Sequence, residues 1–254
     1  MPRISLVIAA LLAGLPFAAD AAPVLVQVGQ AMERFALLKE GQHRYLRYIH
    51  DNGANIPIDI WTRTVRFEAR PGETTKLLHI VQRWDGVGKP APVKYLDSWF
   101  DPVTFQPLSH QRITEKDGTR VVEGFVFSAD KVTGMQDLAD NTQKALSVAL
   151  TEPTFNFETD MEMLQTLPLA AGYEAQINFY HPGGGAPARY TFRVAGEETI
   201  AGPSGPVPCW VVTTDYNKPG GPIGKFYFAK GTQQFVRQES VGATGRIGYK
   251  TLID

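Results

Sequence analysis

A rhythm constrains this chain more than any single residue. From Arg44 onward, short runs rich in Val, Ile, Thr, Tyr, Phe and Trp recur about every 8 to 15 residues, punctuated by Gly, Pro, Asn and Asp. Strand-like runs cover 44–49, 58–68, 74–84, 94–100, 108–114 and 120–127. They resume at Gly172 and continue over 189–194, 209–216, 225–230, 235–239 and 248–252. Asp51-Asn52-Gly53 and Lys116-Asp117-Gly118 are tight hairpin signals. Strands in succession, with no crossover helices between them, pair with their neighbours in antiparallel fashion. The expected fold is mainly β, an antiparallel meander curled into a half-barrel or a barrel.

Two helices interrupt this pattern in the reading. Val28, Met32, Phe35, Ala36 and Leu38 recur at helical spacing and predict an N-terminal helix over 26–38, ended by Gly41. Thr159-Asp160, followed by Met161, Met163, Leu164 and Leu167, predicts a short internal helix with an acidic start. Residues 140–150 can be drawn either way; alternation of Leu146, Val148 and Leu150 favours a strand.

The first 21 residues stand outside the rhythm. Arg3 precedes a nearly unbroken apolar run from Ile4 to Ala19, and Ala19-Asp20-Ala21 supplies a small-residue cleavage pattern. This is the layout of a secretory signal peptide over 1–21, leaving a single β-rich domain over 22–254. The run is shorter than the roughly 20 residues that a spanning helix needs, and nothing after it approaches that length. Without a cysteine at the cut, lipid attachment is unavailable; the expected location is periplasmic or secreted. The only cysteine, Cys209, lies in an apolar strand-like run and reads as a buried thiol rather than a nucleophile.

Charge narrows the partners. Lys and Arg number 25 against 26 Asp and Glu, a net charge of −1, which excludes a nucleic-acid binder built on a basic surface. Five histidines at 43, 50, 79, 110 and 181 show no metal-ligand spacing, and no cofactor or metal is expected. Ser109 and His110 are adjacent on a strand, so they point to opposite faces and cannot pair directly. Gly220-Gly221-Pro222-Ile223-Gly224-Lys225 lacks both the first glycine and the hydroxyl of a phosphate loop. No pair of carboxylates has the spacing of a glycosidase.

What the strands do carry is rings mixed with cations. Asp59, Trp61, Arg63, Val65 and Phe67 share one side of a strand, as do Tyr95, Asp97 and Trp99, and Leu108, His110 and Arg112. A dry core wants a uniformly apolar face. The mixture fits either a curved sheet lining a partly wet cavity or solvent-facing residues whose stems pack on neighbours.

Several stretches together carry a family likeness. They are Tyr45-Leu46-Arg47-Tyr48, the Asp59/Trp61/Arg63 strand, Leu164-Gln165-Thr166-Leu167-Pro168-Leu169, Tyr190 to Val194 with Gly196-Glu197, Cys209-Trp210-Val211-Val212, and Phe226 through Arg237. In that order they resemble a family of exported bacterial proteins known only as a domain of unknown function. That family is similar in architecture to the lipoprotein carriers LolA and LolB. The resemblance implies a curved antiparallel sheet with a helix or loop against its concave side. It brings no catalytic residues, and the chain departs from LolB in lacking the lipid-attachment cysteine.

The leading expectation is a periplasmic protein that holds an apolar or amphipathic ligand, lipid-like, without catalysis. Its lining would be Trp61, Arg63, Trp84, Tyr95, Trp99, His110 and Arg112, with rings covering apolar surface and Arg meeting an anionic head. The alternatives are an envelope module docking another protein, and an unrecognised hydrolase around His110 or His181.

Overall fold

The computed structural model of the chain describes residues 22–88, 91–242 and 244–254. The signal-peptide expectation for 1–21 lies outside the described residues. Sixteen strands form one sheet. The first half comprises β1 (Val24–Val26), β2 (Gly41–Asp51), β3 (Ala54–Ala69), β4 (Lys76–Gly86), β5 (Val93–Phe100), β6 (Pro107–Lys116), β7 (Thr119–Phe127), β8 (Lys131–Gly134) and β9 (Ser147–Ala149). Then come β10 (Phe155–Asn156), a 3-10 turn, and the helix α1 (Asp160–Gln165). The second half comprises β11 (Glu174–Tyr180), β12 (Ala188–Gly202), β13 (Gly205–Thr214), β14 (Gly224–Ala229), β15 (Phe235–Val241) and β16 (Ile247–Leu252).

From β2 to β9 and from β11 to β16, each strand pairs antiparallel with the next, as hairpin connections require. The two meanders meet where β16 pairs with β2, placing chain-distant strands side by side at the centre. β1 and β10 both add in parallel to the free edge of β11, and the ends of the path, β1 and β9, do not join. The result is a curved, mainly antiparallel sheet, as expected, and of the two forms left open, half-barrel and barrel, it is the unclosed one. The two tight turns behave as read: Asn52 and Gly53 have φ of 49° and 81°, and Asp117 and Gly118 have 53° and 74°. Two successive positive φ values match the right-handed twist of the strands they join.

The concave side is filled in its middle by α1. Six residues are too few for a stable helix in water, and this one forms because all six are buried. Met161, Met163, Leu164 and, just beyond, Leu167 pack into a core with Phe155, Phe179, Phe192, Phe226, Phe228 and Phe235. The carbonyls of its last turn are met from another element: Gln233 donates through Nε2 to the oxygens of Gln165 at 2.6 Å and Leu167 at 2.7 Å.

The N-terminal helix expected over 26–38 is not what forms. Val26 instead ends β1, which pairs in parallel with β11, Gly29 turns at φ +89°, and only Phe35–Leu37 make a 3-10 turn. The amides that a helix would use internally are spent on neighbours. Met32 donates to the Val103 carbonyl at 3.1 Å and Arg34 to that of Thr166 at 3.0 Å. The periodic apolar residues still find the core, where Met32 and Leu38 are buried.

Candidate binding site on the concave face

Strand alternation and register turn the inner face into rows. On β3 the buried residues are Asp59, Trp61, Arg63 and Val65. Cross-strand pairing sets Trp61 beside Trp84, Arg63 beside Gln82, and Val65 beside Ile80. Beyond them Gln82 adjoins Leu96, which adjoins Arg112, and Ile80 adjoins Ser98, which adjoins His110. On the other flank Lys250 faces Arg47, and Arg47 faces Asp59. The face thus grades from a charged, aromatic end at Arg47, Lys250 and Trp61 to an apolar end under α1.

At the polar end lies a cleft of about 300 Å³, bounded by Arg47, Trp61, Gln238, Ser240, Tyr249 and Lys250, among others. Among its lining residues Trp61 belongs to a stack of π systems. Trp61 and Trp84 stack at 3.9 Å between ring centroids with planes 12° apart. The Arg47 guanidinium sits 4.4 Å from the Trp61 ring centroid, Lys250 Nζ 4.0 Å from it, and Lys94 Nζ 5.0 Å from that of Trp84. Each such contact is worth about 0.5–2 kcal/mol, more as water is excluded.

Most of the charge below the cleft is already neutralised. Arg63, 2 % exposed, grips Glu162 of α1 in a two-pronged pair at 2.7 and 2.5 Å. It also donates to Gln82 Oε1 at 2.6 Å and to the Glu158 carbonyl at 3.1 Å. Burial disfavours the Arg63 cation, but Glu162 outweighs it and raises the guanidinium above its ordinary range. Gln82 donates to the Glu158 carbonyl at 2.8 Å and accepts from Trp84 Nε1 at 3.0 Å. Arg112 bridges Glu123 at 2.8 Å and Glu158 at 2.9 Å. Arg47 is paired with Asp59 through two nitrogens.

Lys250 differs. Its side chain is buried, its hydrogen-bond partner is the Met161 sulfur at 3.4 Å, and no carboxylate lies at ion-pair distance among the described residues. Burial drives its amine down to about 7, against the pull of Asp160. Asp160, also buried, accepts from the Met161 amide at 2.8 Å. Burial raises its carboxyl to about 6, opposed by Lys250 and Arg63. The Trp61 Nε1 donor is buried with no acceptor among the described residues.

A family profile described as a protein of unknown function, DUF3108, matches residues 45–244, which hold most of the strands and the rows above except Lys250 of β16. The chain belongs to this family. No curated protein matches it. Among solved structures it is similar to a beta-barrel-like protein of the unknown-function domain DUF1849 from Brucella abortus. There the identity is 13 % and the TM-score 0.48, covering 84 % of this chain and 96 % of that one. It is also similar to a DUF1329 family protein from Desulfovibrio piger at 8 % identity and a TM-score of 0.31, covering 86 % and 89 %.

In this DUF3108 member the residues singled out from sequence divide between two faces. Trp61, Arg63, Trp84, His110 and Arg112 share the concave face, but Tyr95 and Trp99 alternate onto the convex one. Tyr95 is 36 % exposed there beside Arg83; Trp99 stacks on His79 with 3.8 Å between centroids. Arg63 and Arg112, expected to meet an anion, hold carboxylates of the chain itself. Ser109 and His110 do point oppositely: Ser109 bonds Arg70 at 2.8 Å outside, whereas His110 Nδ1 meets Ser98 Oγ at 2.8 Å inside. Ser98 and His110 are fully buried, and burial lowers His110 to about 4. That hydroxyl–imidazole pair is sealed from any substrate. His181 also finds a hydroxyl, Tyr190 at 3.1 Å, and stacks on Phe157. Cys209 is free and fully buried, its thiol pushed up to about 11 by burial.

Arg47, Gln82, Asp160, Glu162 and Lys250 escaped the sequence reading. Alternation along Gly248-Tyr249-Lys250-Thr251-Leu252 holds the one usable signal, a lysine in phase with inward residues. Asp160 read as a helix start, because sequence cannot show that its side chain stays inside.

Proposed function

We propose that this family member is an exported protein that binds an amphipathic ligand in the cleft beside Trp61. One observation carries the reading: a buried lysine without a carboxylate at contact distance borders an open cleft lined by Trp61, whose ring stacks on Trp84. Sites of this kind cover apolar ligand surface with rings and orient it with a few polar groups. At about 300 Å³ the cleft takes a head group and the first part of a tail, not a whole lipid. The core beneath is closed by α1, so the remaining tail would lie along the open mouth.

Native mass spectrometry of the full chain, purified from its own compartment and then extracted, should release a co-purifying small amphiphile. Tryptophan emission should also respond when ten-carbon alcohols or acids are titrated in, and much less so in Trp61→Phe/Trp84→Leu. A chain that emerges empty, with emission unmoved by any such compound, overturns the reading.

A further inference from the structure

The charges around the cleft cancel in pairs, with one pair held apart. Arg47 is matched by Asp59 and Arg63 by Glu162, each in direct contact. Lys250 from β16 and Asp160 from α1 remain, of opposite sign, both buried and not in ion-pair contact. The groups facing this pair are Arg63 from β3, Arg47 from β2, Glu162 from α1 itself, and Tyr216 from the segment after β13. Gln238 of β15 adjoins Lys250 across the ladder.

With Asp160 ionised the pocket sums to neutral. An anion brought in would then be a surplus buried charge, which a low-dielectric pocket disfavours. With Asp160 protonated, Lys250 is an uncompensated buried cation walled by Trp61, and a single negative charge completes the balance. Phosphate monoesters, carrying nearly two charges near neutrality, would overshoot it.

We propose that the cleft takes the carboxylate of a monoanionic amphiphile at Lys250 together with one proton, which resides on Asp160. This rests on the ligand-binding reading above and gives the ligand its head group. Burial holds the Asp160 carboxyl above its ordinary range and the Lys250 amine below its own, which brings the two titrations towards neutrality and makes uptake and release follow pH. Mild acid loads the site; mild alkali empties it.

The test uses the full chain and three probes: decanoate, decan-1-ol and decylamine. Calorimetry at about pH 6.5, in buffers of differing ionisation enthalpy, should show roughly one proton taken up per decanoate and none with the alcohol. Decylamine should bind weakest. Infrared difference spectra should show a protonated-carboxyl band that appears with decanoate, does not shift when its carboxyl carbon is labelled, and vanishes in Asp160→Asn. Lys250→Met should lose about tenfold or more of decanoate affinity and keep that for decanol. Decanoate binding with no proton uptake, a carboxyl band that shifts with the label, or decanol binding where decanoate fails would each overturn the inference while leaving the cleft a ligand site. If none of the three binds, the ligand-binding reading falls too.

Discussion

At the scale of single residues, the interior shows which charges are structural. Arg63 and Glu162 are buried together, and the pair joins the sheet to α1. Removing one partner strands the other in a low-dielectric core, a loss of about 3–5 kcal/mol. Arg63→Met should therefore lower the urea midpoint sharply, and the double variant Arg63→Met/Glu162→Leu should recover much of the loss. Equal destabilisation in the single and double variants would show that the pair is not what holds the helix. Alternation made Arg63 legible as sharing a face with Trp61. Its partner was not, because Glu162 approaches from a helix about a hundred residues downstream and no local pattern encodes that contact.

Among elements, β3, β4 and β5 are fastened on their outer side by one imidazole. His79 bonds Glu68 through Nδ1 at 2.7 Å and Asp97 through Nε2 at 3.0 Å. Burial alone would lower its titration; hydrogen bonds to Asp97 and Glu68 outweigh it and raise it. The hydrogen bond from His79 in turn lowers Glu68. For the raised imidazole, added stability is full below its ordinary value of about 6.5 and fades as pH climbs through the native one. For the lowered carboxylate it is full above the ordinary carboxylate value and fades in acid. The clasp thus works best in weak acid. The urea midpoint of the native chain should exceed that of His79→Gln by more at pH about 6 than at about 9; a gap that widens with pH would refute the assignment. Strand positions were legible because turn residues and alternation are local. The N-terminal segment was not, since its helical periodicity lost to backbone partners at Val103, Thr166 and β11. The assignment of Tyr95 and Trp99 to the cleft failed for a related reason. Side-sharing within a strand is readable, but the side that faces the core depends on cross-strand register.

Across the whole molecule, the joint between β16 and β2 decides integrity. Six residue pairs, Ile247 with His50 through Leu252 with Tyr45, unite the two meanders along the sheet, and backbone bonds of Arg44 with Ile253 and Asp254 continue the seam. Arg44 and Asp254 pair beside the joint, and Lys250 sits within it. Deleting residues 247–254 should abolish the single cooperative unfolding transition and expose two unpaired edges to self-association. Near-ultraviolet circular dichroism during urea titration, with light scattering, would show it; a full-amplitude transition at the native midpoint would contradict it.

That joint also has a consequence in time. β16 leaves the ribosome after the other strands of the sheet, yet its place is at the middle of the strand order. While synthesis proceeds, β2 presents an open edge, and neither meander can lean on the other. The chain therefore cannot complete its sheet until β16 has been delivered, and in that interval it is most open to chaperones and proteases.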